Sequence, residues 1–164
     1  MVAYEVSEWS DLFVATAGAA AALTGLVFVA VSINLERILS LPGLPARALQ
    51  TLLMLAIVVV ISIVALIPGQ DVTILGVELS VITAAYVAGL ARTTQGNLPR
   101  RDQPRGWLVG RLTLLGIGAV PLAIGAVSVL AETGGGLYWI VAGVLGAIAG
   151  GVANAWVLLV EIQR

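Results

Sequence analysis

Residues 12–33 read LFVATAGAAAALTGLVFVAVSI, a run without a single charged residue. Wound into a helix at about 1.5 Å per residue, it reaches about 33 Å, enough to cross a bilayer hydrocarbon core of roughly 30 Å. Four further apolar stretches of similar character follow, at about 48–67, 72–91, 107–131 and 137–160. Between them stand strong turn signals: Leu41-Pro42-Gly43-Leu44-Pro45, Pro68-Gly69-Gln70-Asp71 and Glu132-Thr133-Gly134-Gly135-Gly136. The longest polar stretch, 92–106, holds Pro99, Pro104 and the arginines at 92, 100, 101 and 105. The reading is an all-α polytopic transmembrane helix bundle of five membrane-spanning helices, forming a single domain over residues 1–164.

Composition points the same way. The chain is 60% hydrophobic and 10% charged, with a mean hydropathy of +1.07. A soluble domain carries about a quarter charged residues, so there is too little polar surface here to cover a water-soluble globule. The opening residues Met1–Trp9 are acidic and lack a basic n-region, so the first span is expected to stay in the mature protein.

Orientation follows from the arginines. In a five-span arrangement Arg37, Arg47, Arg92, Arg100, Arg101, Arg105, Arg111 and Arg164 all fall on one side. The opposite segments carry only acids: Glu5, Glu8 and Asp11 before the first span, Asp71 in the second-to-third turn, and Glu132 in the last turn. The positive-inside rule then places the N-terminus outside and the C-terminus in the cytoplasm, in a bacterial inner membrane. Trp9, Tyr138 and Trp139 would line the outer interface and Trp107 the inner one.

What is missing bounds the chemistry. Histidine, cysteine and lysine are absent. That removes the usual ligands for haem, copper, zinc or iron–sulfur centres, and it removes disulfides. It also removes Schiff-base lysines and Ser–His pairs. No Walker loop, dinucleotide glycine pattern or nucleic-acid signature is present. The expectation is a non-catalytic protein with no cofactor, no metal and no nucleic-acid partner.

Two helices carry small-residue stripes. In the last span Gly143, Ala147, Gly150, Asn154 and Glu161 fall within about 40° on a helical wheel at 100° per residue, and Gly146 and Gly150 form a GxxxG. In the first span Asp11, Gly18, Ala22, Gly25, Val29, Ser32 and Glu36 share a face, the helix continuing through Asn34–Leu39. Small residues let backbones approach where lipid removes the hydrophobic driving force. Gly18, Gly25, Gly143, Ala147 and Gly150 are therefore candidates for a packing or oligomer face, with the partner helix in the same chain or in another copy. Around a symmetry axis, Asp11 and Glu36 would form acidic rings at the two mouths. The alternative is close packing, with Asp11 favoured at the helix start and Glu36 paired with Arg37 or Arg47.

Glu78 interrupts the third span. If that helix begins near Val72, the carboxylate sits about 9 Å along it, at a depth where ionisable groups are costly and often functional. If it begins near Gly76, Glu78 lies in the first turn and faces outer-surface water. Glu78, Glu36, Asn154, Ser32 and Asp11 are the candidate polar or ion-pathway residues. Arg100, Arg101, Arg105 and Arg111 are candidate contacts to lipid headgroups, though membrane topogenesis explains them equally well. Pro121 in mid-span is expected to kink the fourth helix.

The run Ala20–Leu39 followed by Leu41–Pro45 resembles small five-helix integral membrane proteins of GC-rich, actinobacterial-type bacteria, a resemblance that implies the fold and carries over no activity. Thr24–Ala30 is loosely similar to the pore helix of store-operated calcium channels. This chain departs from them in its acidic start and in having Ile33 where their selectivity glutamate would fall. Two functional classes follow: a homo-oligomeric channel or permeation unit, or an accessory scaffold docked on a larger membrane complex. A proton-coupled transporter relying on Glu78 is a third, for which no inverted repeat is visible. Membrane lipids are partners in every case.

Overall fold

A computed structural model describes residues 2–95 and 105–163, the side chains of 95, 105–111, 114, 162 and 163 excepted. After two 3-10 turns at Val2–Tyr4 and Val6–Trp9 come six helices: α1 (Ser10–Ile33), α2 (Leu35–Ser40), α3 (Leu44–Ala65), α4 (Val72–Gln95), α5 (Arg105–Leu130) and α6 (Leu137–Gln163). No strand occurs among the described residues. Four stretches are long and apolar enough to cross a membrane: Val6–Ile33, Leu44–Ala65, Val72–Thr94 and Leu137–Glu161. In α5, whose 26 residues make about seven turns, the apolar part with described side chains is Leu115–Leu130.

The short links make successive long helices antiparallel. α3, α4, α5 and α6 close into a ring in which each packs on the next and α6 returns to α3. α1 lies outside this ring, against α3, and touches α6 only slightly. α3 is consequently the most enclosed helix. Its inward residues Arg47, Gln50, Thr51, Met54, Val58, Ile61, Ser62 and Ala65 recur every three or four positions, the spacing of one helix face. Among the described residues, side chains with essentially no exposure occupy the interior of the ring, including Met54, Val58, Ile61, Leu79, Leu122 and Ile140.

Glycine brings α5 and α6 together. A Cβ on Gly118 would stand 2.9 Å from the Cα of Ala147, and one on Gly125 2.8 Å from the backbone N of Ile140. From the other side Gly143 fits against Leu122, and Gly146 against the Ile117 carbonyl. Pro121 supplies no N–H to that carbonyl, and α5 runs through the proline without a break.

One helix boundary differs from the sequence reading, and a second decides between its two alternatives. The first helix does not continue past the membrane as one rod. Asn34, at φ −105° and ψ 18°, leaves helical geometry, and its side-chain amide donates to the Ala30 carbonyl (2.8 Å). An Asn that bonds its own preceding turn competes with the helix ladder, so α1 stops and α2 restarts as a separate helix. The third span does begin at Val72, because Asp71 caps it: its Oδ1 accepts the Thr73 N–H at 2.8 Å. The alternative start near Gly76 is thereby excluded.

Candidate functional site

The polar residues collect at the two ends of the bundle. At the end where Arg37, Arg47 and Arg92 lie, α3 and α6 are tied by charge and amide groups. Arg47 pairs with Glu161 at 3.0 Å, with side-chain exposures of 11% and 37%. Asn154, buried in α6, donates to Thr51 Oγ1 (2.8 Å) and to the Arg47 carbonyl (3.2 Å). The Gln50 amide reaches across to α4, donating to Thr93 Oγ1 (3.0 Å) and Thr94 Oγ1 (3.1 Å). Asn154 thus acts as interhelical glue within the chain. Glu161 is taken by Arg47, so Arg47 is engaged by the last helix and not by Glu36.

At the opposite end the N-terminal segment is strapped across the bundle. The Tyr4 hydroxyl accepts the Gly135 N–H (3.1 Å), the Trp9 indole donates to the Val2 carbonyl (2.8 Å), and the Trp9 ring meets Tyr138 edge-on at 4.7 Å. The receiving turn needs its three glycines: Gly134, Gly135 and Gly136 have φ of +82°, +109° and +48°, and a Cβ on Gly136 would strike Tyr4. Between strap and the α3–α4 turn lies a pocket of about 380 Å³, lined by Glu5, Val6, Ser7, Leu66, Ile67 and Gln70 among others. Glu78 is half-buried just behind it and accepts a hydrogen bond from the Gln70 amide. Asp71, fully exposed in the turn, has its pKa held below the ordinary carboxylate value, chiefly by the Thr73 N–H.

The two small-residue faces part company. Gly143, Ala147 and Gly150 of α6 are buried inside the chain, as are Gly146 and Gly151. On α1 the stripe points away from the ring: Asp11, Gly18, Ala22, Gly25, Val29 and Ser32 are all exposed, and a Cβ on Gly18 or Gly25 would meet nothing within 4 Å. Ser32 Oγ bonds its own helix at the Phe28 carbonyl (2.8 Å). Glu36 is exposed on α2, beyond the Asn34 break, so it no longer continues the α1 stripe. α1 meets α3 through Phe13, Thr16 and Ala20 instead, with a Thr16–Ser62 hydroxyl contact at 3.0 Å. Arg100 and Arg101 lie outside the described residues, as do the side chains of Arg105, Trp107 and Arg111.

Sequence reasoning missed the Arg47–Glu161 pair, the Gln50 bridge and the buried Thr83 and Tyr86, whose hydroxyls have no hydrogen-bond partner among the described residues. The helical spacing of Arg47, Gln50 and Thr51 with Met54 and Val58 was the available signal, since it puts polar groups on an otherwise inward face. Compared with known proteins, the chain matches no family model, no curated protein and no solved structure.

Proposed function

We infer that this chain is a five-span, non-catalytic integral membrane protein of the bacterial inner membrane that works as one protomer of a homo-oligomer, N-terminus outside. Any permeation path runs between protomers along α1, since the described interior of the four-helix ring is occupied by side chains with essentially no exposure. The observation that carries this reading is the exposed stripe of α1, whose Gly18 and Gly25 are unopposed while the glycines of α6 are used inside the chain. Close approach of small residues is the main device for helix association in lipid, and α1 offers it with no intramolecular taker. α5 completes the five spans: it lies antiparallel between α4 and α6, and its 26 residues reach about 39 Å.

The test is native mass spectrometry of the protein released from nanodiscs. A single closed oligomer is expected; a strict monomer overturns the reading. The occupied ring interior equally suits a second reading, an accessory subunit whose α1 docks on a larger complex. Stoichiometric co-purification of a different membrane subunit, lost in a Gly18→Leu variant, would select it.

A further inference from the structure

We propose that the pocket beneath the N-terminal strap is a binding site for a small organic ammonium ion, whose charged head meets Glu5 and whose apolar body packs on Val6, Leu66 and Ile67. The inference goes beyond assembly through α1 and does not depend on it. The cavity, about 380 Å³, falls at the lower end of the range for small-molecule sites, so a single-ring monoamine is the right scale. The strap forms one side of this half-open pocket and is pinned by Tyr4 to Gly135 and by the Trp9–Tyr138 ring contact.

The chemistry of the lining selects the charge. Its one charged group is the Glu5 carboxylate, set beside the hydroxyls of Ser7 and Ser10 and the Gln70 side chain, which gives one of its two amide N–H groups to Glu78 and keeps a carbonyl oxygen as acceptor. Ser10 spends its own proton on the Ser7 carbonyl at 2.9 Å. Glu8, Asp11, Asp71, Glu78 and Glu132 lie at the same end of the bundle, which has no arginine among the described residues. Such a one-sign field concentrates cations and repels anions. A bare metal ion is poorly served, because it asks for several converging oxygens. Here one carboxylate stands against a largely apolar wall. An ammonium with three N–H donors and a hydrophobic tail satisfies both surfaces.

The experiment uses the full chain in nanodiscs with three near-isosteric probes: phenethylamine, phenethyl alcohol and phenylacetate. Saturable binding is read by equilibrium dialysis after subtracting empty nanodiscs. The amine is expected to bind at least about tenfold tighter than the alcohol, the scale of one charge contact in a partly solvated site, and phenylacetate not to saturate. Glu5→Gln should erase the preference for the amine. Glu5→Lys should transfer saturable binding to phenylacetate, an outcome that mere damage to the strap would not produce. Ile67→Trp, which fills the pocket and leaves Glu5 in place, should abolish amine binding, and it decides the matter should the Glu5 variants fail to fold. Equal binding of amine and alcohol, amine uptake that only follows the lipid content, or amine binding unchanged in Glu5→Gln and Ile67→Trp would each overturn the proposal.

Discussion

Adding one methyl group to two glycines separates packing within the chain from packing outside it. At Gly118 the new Cβ would lie 2.9 Å from the Cα, N and Cβ of Ala147, which are backbone or backbone-anchored atoms that cannot rotate aside. α5 and α6 must move apart, and overpacking of this kind costs typically about 1–3 kcal/mol. At Gly18 the same methyl meets nothing within 4 Å. Both substitutions gain the same helix-propensity advantage of alanine over glycine, up to about 1 kcal/mol. That gain cancels in the comparison, so Gly118→Ala should be less stable than Gly18→Ala by about 1–3 kcal/mol, the steric contribution alone. The assay is reversible unfolding by SDS titration in mixed micelles, followed by tryptophan fluorescence at a dilution where protomers are separate. Equal stability of the two variants, or the greater loss at Gly18, would refute the assignment of α5–α6 as the internal seam and of the α1 stripe as an outer face.

Further outcomes follow from the same geometry. Gly18→Leu should leave the stability of the separated protomer unchanged yet shift the native-mass distribution toward monomer. Glu161→Ala removes the charge partner of Arg47; since Glu161 is 37% exposed, the loss in SDS unfolding should be roughly 1–2 kcal/mol, below the 3–5 of a fully buried pair. Asp71 has a depressed pKa in the fold, so its contribution is present above the ordinary carboxylate pKa and lost as pH falls through that value and then the folded one. The stability advantage of wild type over Asp71→Ala measured at about pH 6 should therefore shrink by about pH 2.5. The chain has no cysteine, so Ser7→Cys and Ser40→Cys report topology directly: an impermeant maleimide added to intact spheroplasts should label the first and spare the second.

Much of the architecture is legible in the apolar runs, because backbone groups in lipid must be satisfied internally and only continuous helices do this at such lengths. The apolar runs lie on α1, α3, α4, α5 and α6, overrunning a helix end by two residues at most, and the Pro–Gly signals fall at or between the helix boundaries. The neighbours of each helix are not legible. α1 and α6 carry the same kind of small-residue stripe, but α6 is enclosed by α3 and α5 while α1 is laid on the outside, and nothing local distinguishes the two. The Asn34 break was hidden because charge and leucine alternate smoothly across it; the deciding event is a side-chain bond back to Ala30. Arg47 reads as a flanking topogenic charge, and only the fold brings Glu161, far along the chain, to its guanidinium. From sequence alone Glu78 stands between two readings. The cap at Asp71 settled where α4 begins, and the approach of Gln70 supplied the partner that no spacing rule shows.

The most direct test of the central claim, that the open face of α1 meets a second copy, is disulfide trapping in native membranes. Ala22→Cys places a thiol in the middle of the α1 stripe, and Val81→Cys places one on the exposed side of α4 as a lipid-facing control. A bridge forms only where the Cβ atoms come within about 4.5 Å of each other. Mild oxidation should cross-link Ala22→Cys into dimers and leave Val81→Cys monomeric. An Ala22→Cys protein that stays monomeric, or that cross-links no better than Val81→Cys, would contradict assembly through α1.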